Sequence, residues 1–468
     1  MEAARFRSNF GSITNDDLSF YDTLENFMKN FLAVFCLALL SSPALAQGNW
    51  IRTGTGLGVE KVRLAVPDFK ASTQDPKTAE LLKTFNDTLW NDLDNAGIFE
   101  MVSKSFYPLQ VPATANDMRT ADWTNPPTNA AMVAFGNLGV SGTDVLVQGW
   151  LFDVHNSGSP QVLGKQYRDQ ATADKARLIA HKFADEIIFR LGGGIQGIAE
   201  SKIVFISSRS GHKEVWEMDY DGANQTQLTH LGGIALSPRI SPDGSRVAFC
   251  AIGAGGVQLR MYSLELGRMV AFPAFPGTNI SPAWSPDGMQ LAFSSSMRGS
   301  PNIYVSDSAG MGPKRITEGP GPDSSPSWNP KTGAQIAFVS GATGLPQIYT
   351  MNADGTNVQR VTDQGYAVSP SWSPNGQFLT FAWRRNYGPG APGNQDIYLM
   401  DIASHQWVQL THDAGVNDFP SWSPDGRHIV YESHQGGRTE IWSMLADGSK
   451  AQMLTSTGNN TQPNWSFK

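Results

Sequence analysis

Residues 418–431 read DFPSWSPDGRHIVY. The Pro-Asp-Gly at its centre is turn chemistry: proline fixes φ, aspartate can bond its own backbone, and glycine accepts positive φ. The run after it, rich in β-branched and aromatic residues, reads as a strand. The phrase recurs. Residues 280–293 are ISPAWSPDGMQLAF, 324–338 are SSPSWNPKTGAQIAF, 368–381 are VSPSWSPNGQFLTF, and 236–249 are the weaker LSPRISPDGSRVAF. The aligned tryptophan position falls at Arg239, Trp284, Trp328, Trp372, Trp422 and Trp465, which gives a unit of about 44 residues. One interval is stretched to 50 by a Gly/Pro-rich insertion, RRNYGPGAPGNQD, at 384–396. After the turn, each unit continues with a strand such as QLAFSSS, a strand such as NIYVSD, and a short strand. The short strands end in Leu228-Thr229, Ile316-Thr317, Val361-Thr362, Leu410-Thr411 and Leu454-Thr455; the unit near Val270-Ala271 lacks this ending. One such four-stranded unit cannot bury both faces, so neighbours must stack, and a tryptophan at a fixed place can fill the interface. Radial stacking of antiparallel units is a β-propeller. A linear solenoid or a string of small domains fits this period less well.

The two ends of the repeat region predict how the ring shuts. KIVFISS at 202–208 matches the second strand of a unit, and no P-x-W strand precedes it. At the other end, PNWSFK at 463–468 is a P-x-W strand without a successor. Residues 462–467 are therefore expected to form the innermost strand of the blade whose other strands lie within 202–229. That makes six blades and leaves no open edge to aggregate.

The region before the repeats has other patterns. VRLAVPDF at 62–69 reads as a buried strand. Residues 78–96 place Leu81, Leu82, Phe85, Leu89 and Leu93 at helical spacing, with Gly97 as a stop. TDVLVQGWLFDV at 143–154 reads as a strand with GKQYRDQAT as its hairpin partner, and residues 175–191 form a second amphipathic helix. The expected organisation is an α/β N-terminal domain at 62–191, a flexible glycine linker at 192–201, and an all-β six-bladed β-propeller at 202–468 closed by the C-terminal strand. The linker GGGIQG follows a helix rather than a strand, which excludes a dinucleotide fingerprint. Further upstream, MKNFLAVFCLALLSSPALAQ from Met28 is a signal peptide (28–46): Lys29 is its basic start, 31–40 its apolar run, and Ala44-Leu45-Ala46 its cleavage site. The apolar run is too short to remain as a membrane span. Residues 1–27 are acidic and do not fit an export signal, so they read as a spurious N-terminal extension. Residues 47–61 form a flexible N-terminal segment of the mature chain.

Composition excludes some chemistries. The formal net charge is −7 with no basic stripe, against nucleic acid as a partner. Of the two cysteines, Cys36 lies in the signal peptide, so Cys250 has no internal disulfide partner. There is no G-x-S-x-G, H-E-x-x-H, CxxC pair or P-loop. His230 and His412 each follow a Thr on one face of the propeller. They could serve a metal-assisted polysaccharide lyase, but solvated loop histidines are the simpler reading. The aspartates of the Asp-Gly turns (Asp243, Asp287, Asp425) are turn formers first. A glycan-binding protein using channel-facing tryptophans is a further alternative, set against Trp as interblade core.

The order of export signal, small α/β domain and six P-x-W-S-P-D-G units ending in a cut-off P-x-W-S resembles the TolB family. LWNDLDNAGIFEMV at 89–102 is similar to the helix-to-strand segment of that family's N-terminal domain, and GTDVLVQGWL at 142–151 to its next strand. The resemblance implies a non-enzymatic, monomeric adaptor in the periplasm, supporting outer-membrane integrity and cell division. Its implied partners are the peptidoglycan-associated lipoprotein Pal, TolA, and other outer-membrane lipoproteins. The loops leading into the innermost strands would then be the Pal-binding face: Thr278, Asn279, Asp323, Ser324, Val368, Ser369, Asn417 and Asp418. Some relatives carry histidine at the Thr278 position. Trp50, Ile51, Arg52 and Thr53 would lie in the TolA-binding segment. The resemblance implies no obligate cofactor and leaves Ca²⁺ in the propeller channel open. N-terminal sequencing of the exported product is expected to begin at Gln47; a start within 1–27 retained after export would overturn the processing scheme.

Overall fold

The computed structural model describes residues 60–386, 393–412 and 415–466. The expectations for 1–27, for 28–46 and for nearly all of 47–61 lie outside the described residues.

The N-terminal domain is built on one mixed sheet. Its strands run in the order Phe99–Met101, Val62–Ala65, Met132–Ser141, Asp144–Asp153, Gln161–Gln170. The first three are parallel and the last three antiparallel. The helix Pro76–Asn95 starts where its sequence signals it: the Asp75 side chain accepts the Lys77 N–H, and proline opens the first turn. Leu81, Phe85, Leu89 and Leu93 are buried along one stripe, with Leu82 at its margin. They pack with Ile179, Phe183 and Ile187 of the second long helix, Ala173–Leu191, over the same sheet face. A Cβ at Gly149 would stand 2.7 Å from the Phe183 ring, so glycine there lets the helix seat on the sheet. Val102 and Trp123 cover the other face, against Phe135 and Phe152.

The remaining described residues form six four-stranded antiparallel sheets arranged as a propeller. Their innermost strands are Ile234–Ile240, Asn279–Trp284, Asp323–Trp328, Tyr366–Trp372, Val416–Trp422 and Asn460–Trp465. The last of these pairs with Lys202–Ser207, matching Asn460 to Ser207 and Trp465 to Ile203. The Lys202 N–H donates to Ser466 Oγ and the Ser466 N–H to the Lys202 carbonyl, both at 2.8 Å. The ring is closed by the C-terminal strand, as the cut-off repeat implies.

Each repeated residue has a local task. The serine before Pro-Asp-Gly clamps the turn: Ser285 Oγ donates to Asp287 at 2.6 Å and accepts the Gln290 N–H at 2.9 Å. Ser241 and Ser373 repeat this with Asp243 and Asn375. The threonine of the L-T ending accepts the N–H that opens the third strand, at 2.8–3.0 Å in five blades (Val215, Ile303, Ile348, Ile397, Ile441). In four of them the hydroxyl donates onward to Glu214, Gln347, Asp396 or Glu440.

The tryptophans join blades. Trp284 Nε1–H donates to the Arg239 carbonyl of the preceding blade, Trp328 to Ala283 and Trp422 to Ser371, at 3.1–3.2 Å. Trp465 is 1 % exposed and donates to Ser201 Oγ at 2.7 Å. The first full blade corrects one alignment. Ile240, not Arg239, stands opposite Val247, the place where Trp284 faces Leu291. Arg239 is one residue earlier and turns the other way, toward the channel. With no indole at this junction, side-chain amides stitch it: Gln462 Oε1 accepts the Ser237 N–H at 2.7 Å and Asn464 Oδ1 the Ile240 N–H at 2.9 Å.

Replacing Trp465 by alanine removes both the closing strand's anchor and its hydrogen bond to Ser201. A loss of about 3–5 kcal/mol in urea unfolding is expected. A loss below about 1 kcal/mol would show that this side chain does not hold the ring shut.

Candidate partner-binding face and interdomain seam

The propeller has two unlike ends. At one end lie the Pro-Asp-Gly turns, and here the N-terminal domain is attached. At the other, the innermost strands begin and the channel opens. The sequence assigned a partner-binding role to eight residues at this open end, and the structure divides them. Thr278 is exposed, Ser324, Val368 and Asp418 are half-buried, and Ser369 is half-buried and lines the channel. Asn279, Asp323 and Asn417 are buried and turned into the blades. Asn279 Nδ2 donates to the Phe275 carbonyl at 3.1 Å while its Oδ1 accepts from Ser295 at 2.6 Å, so it shapes the loop before the strand. Asn417 Nδ2 lies 3.3 Å from the Gln395 carbonyl and from Thr411 Oγ1. Asp323 faces Asn302. Their polar pattern at strand starts looks like a contact face in sequence, but the loops and the junctions between blades use it. Sequence reasoning missed the apolar side chains exposed at this end: Leu231, Ile234, Ile252 and Leu345. Their signal was present, since Ile234 and Ile252 pair at the outer limit of a hairpin, past the last core position. Trp50, Ile51, Arg52 and Thr53 lie outside the described residues.

The seam between the domains is polar and buried. Asp92, near the end of the Pro76–Asn95 helix, accepts from the Tyr220 hydroxyl and bonds His181 Nδ1 at 2.7 Å. Burial raises its pKa against the opposing pull of His181 and Tyr220. Tyr220 is pushed up strongly, by burial and by Asp92. Arg177 holds Asp221 with two 2.5 Å bonds. The C-terminal carbonyls of both long helices meet propeller donors. His428 Nε2 reaches the Asn95 carbonyl at 2.8 Å, Lys450 the Asp94 carbonyl at 2.5 Å, and Arg427 the Gly192 carbonyl at 3.1 Å. Positive groups at helix C-termini complement the helix dipole. Burial would raise Asp425, but His428 and Arg427 outweigh it and hold the carboxyl below its usual range. The glycine linker is not the flexible tether its composition suggests. Gly193 and Gly194 have φ of 75° and 79°, but Ile198 and Ala199 are buried and the Ala199 N–H donates to Asp185 at 3.2 Å.

Metal chemistry finds little support in the side chains. Among the described residues, no three His, Cys, Asp or Glu side chains group as metal ligands. His230 and His412 are exposed at the open end. Cys250 is buried, and burial pushes its thiol up to about 12. Calcium needs six to eight oxygen ligands with carboxylates among them. The channel wall carries the Arg239 guanidinium instead. The nearest carboxylates at the mouth, Asp418 and Glu432, pair across adjacent strands. Burial raises both, Asp418 adds to the rise of Glu432, and Glu432 reaches about 8. This donor set does not fit a divalent cation.

Two family models match the chain. One, the TolB beta propeller domain, matches residues 189–391 and 364–468; the other, the TolB amino-terminal domain, matches 55–159. A TolB homolog from Chlorobium chlorochromatii is 33% identical over 309 residues, covering 64% of this chain and 67% of that protein. The chain belongs to the TolB family. A Tol-Pal system protein TolB from Cereibacter sphaeroides is 32% identical over 243 residues, covering 51% of this chain and 52% of its own, so the match to that TolB spans about half its length. The crystal structure of TolB from Acinetobacter baumannii superposes with a TM-score of 0.72 at 23% identity, covering 87% of this chain and 97% of that one, and it shares the fold.

The TolB seam also predicts a pH response. Burial raises Asp185 to about 7, Asp92 and Glu200 add to the rise, and the Ala199 N–H opposes it. A carboxyl whose folded pKa is raised favours the protonated state, so its contribution to stability falls as pH climbs from about 4 to about 7 and then levels. Asp185→Asn keeps an acceptor for Ala199 and stays neutral. It is expected to gain on the order of 1–3 kcal/mol over wild type at pH 8 and nothing near pH 4. Urea unfolding at both pH values checks this; an equal effect at both would remove Asp185 as the titrating group.

Proposed function

We propose that this chain is a periplasmic, non-enzymatic adaptor of the Tol-Pal envelope system. The open mouth of the propeller channel receives Pal, and other outer-membrane lipoproteins are secondary partners. The segment carrying Trp50, Ile51, Arg52 and Thr53 engages TolA after export from the Met28 signal peptide. Together these contacts support outer-membrane integrity and cell division, and the protein acts as a monomer without a cofactor. The observation that carries the reading is the asymmetry of the propeller: its turn end is occupied by the N-terminal domain through Arg427, His428 and Lys450, and among the described residues these contacts are all made at that end. The mouth offers Thr278 and Ser324 on a rigid ring, with Leu231, Ile234 and Ile252 as exposed apolar area nearby. Loops on a rigid scaffold suit recognition, and buried apolar side chains at the centre of a contact supply most of its energy. The names of the relatives in the Tol-Pal system support the same assignment.

Calorimetric titration of the full chain with the periplasmic domain of the same organism's Pal tests this. Saturable binding is expected, weakened at least tenfold by Thr278→Arg combined with Ser324→Arg. Absence of binding between correctly folded partners would overturn the proposal.

A further inference from the structure

The channel through the propeller encloses about 310 Å³. Cavities that hold small ligands start near 300 Å³. Its wall is nearly uniform. Ser237, Ser281, Ser325, Ser369, Phe419 and Gln462 occupy equivalent bulges with φ of 51–56°, each followed by proline. Below them, one residue on from each proline, stand Arg239, Ala283, Ser327, Ser371, Ser421 and Asn464. Five of these six are small or neutral, and one is a cation.

Arg239 makes a single side-chain hydrogen bond, to the Pro238 carbonyl at 2.8 Å. Among the described residues no carboxylate stands within ion-pair distance of it. Burial lowers its pKa to about 10, which leaves it charged at neutral pH. A guanidinium half-buried in a channel without a counter-charge loses part of its hydration, which is unfavourable unless something completes it. The carboxylates closest to the mouth do not do so. Glu432 accepts the Gln462 N–H at 2.7 Å, and Asp418 accepts the Phe419 N–H at 2.7 Å.

We propose that the propeller channel is a binding site for a small monocarboxylate, with Arg239 as its charge partner and the hydroxyls of Ser281 and Ser325 as hydrogen-bond donors. The planar guanidinium fork matches a carboxylate with two parallel bonds. One cation balances one negative charge, which favours a carboxylate over a phosphate. The ring of serines offers further donors on a wall that proline keeps stiff. The site is independent of the mouth face discussed above: it lies inside the ring rather than on its rim. The carboxylate could belong to a free small acid or to the end of a peptide chain, and the two share this chemistry.

The test is titration of the full chain with N-acetylglycine, with N-acetylglycinamide as the uncharged control, followed by calorimetry. Saturable binding of the acid and none of the amide is expected. Arg239→Met should weaken the acid at least tenfold, and the variant alone should melt at a higher temperature than wild type, because an uncompensated charge has been removed. Ser281→Gly and Ser325→Gly keep the positive φ and delete a hydroxyl; each should weaken binding about fivefold with Arg239 intact, so the proposal stays testable if the arginine variant misfolds. Acetyl-tetraglycine distinguishes the sources: tighter binding than N-acetylglycine indicates a chain end, and exclusion indicates a free acid. No binding of either carboxylate at tens of millimolar, or equal affinity for acid and amide, overturns the proposal.

Discussion

The pairing of Asn460–Trp465 with Lys202–Ser207 is the constraint on which the rest of the propeller depends. Every other blade is made of strands that follow one another in the chain, and local turns hold them together. Only this sheet draws on both limits of the repeat region. Once it forms, each blade has two neighbours, the inner edge of Lys202–Ser207 is covered, and only the short outermost strands remain as edges. The channel, its mouth and its serine-lined wall exist only because the circle is complete. Trp284, Trp328 and Trp422 then link blades by reaching from one innermost strand to the carbonyls of the one before.

The N-terminal domain is held to this ring by another principle. Two helix ends, each presenting unsatisfied carbonyls, meet a histidine, a lysine and an arginine from the propeller turns. Buried carboxyls at Asp92 and Asp185 sit among these groups and are raised by their surroundings. An apolar seam would hold more evenly across pH. This one links the attachment of the domain to proton occupancy.

Much of the fold was legible because its signals are periodic. The Pro-Asp-Gly turns, the tryptophan spacing and the L-T endings each recur, so one unit taught the reading of the next. The closing strand could be inferred because two partial units complement each other. The site was less legible. Asn279, Asp323 and Asn417 look in sequence like polar residues on loops, yet Asn279 bonds its own loop and blade while Asp323 and Asn417 bond to the blade before theirs, and only packing shows that. Ile240 was displaced by one residue in the alignment because Arg239 lies beside it and the indole that marks the other units is missing. The seam left no sequence signal, since Asp92, His181 and Tyr220 lie far apart in the chain and meet only in space. Glycines 192–194 suggested a tether by composition alone; the burial of Ile198 and Ala199 nearby is a tertiary fact.

Ring closure also sets the order in which the protein can come to rest. The contact between Lys202 and Ser466 spans 264 positions of sequence. Contacts so distant form late, because a long loop must close before they give anything back. The five sequential blades can assemble while the polypeptide is still being completed, but the circle cannot shut until Trp465 is available. Until then the exposed edge beside Lys202–Ser207 is a ready partner for any free strand. Cover for this edge therefore arrives last, with the final strand of the chain's repeat region.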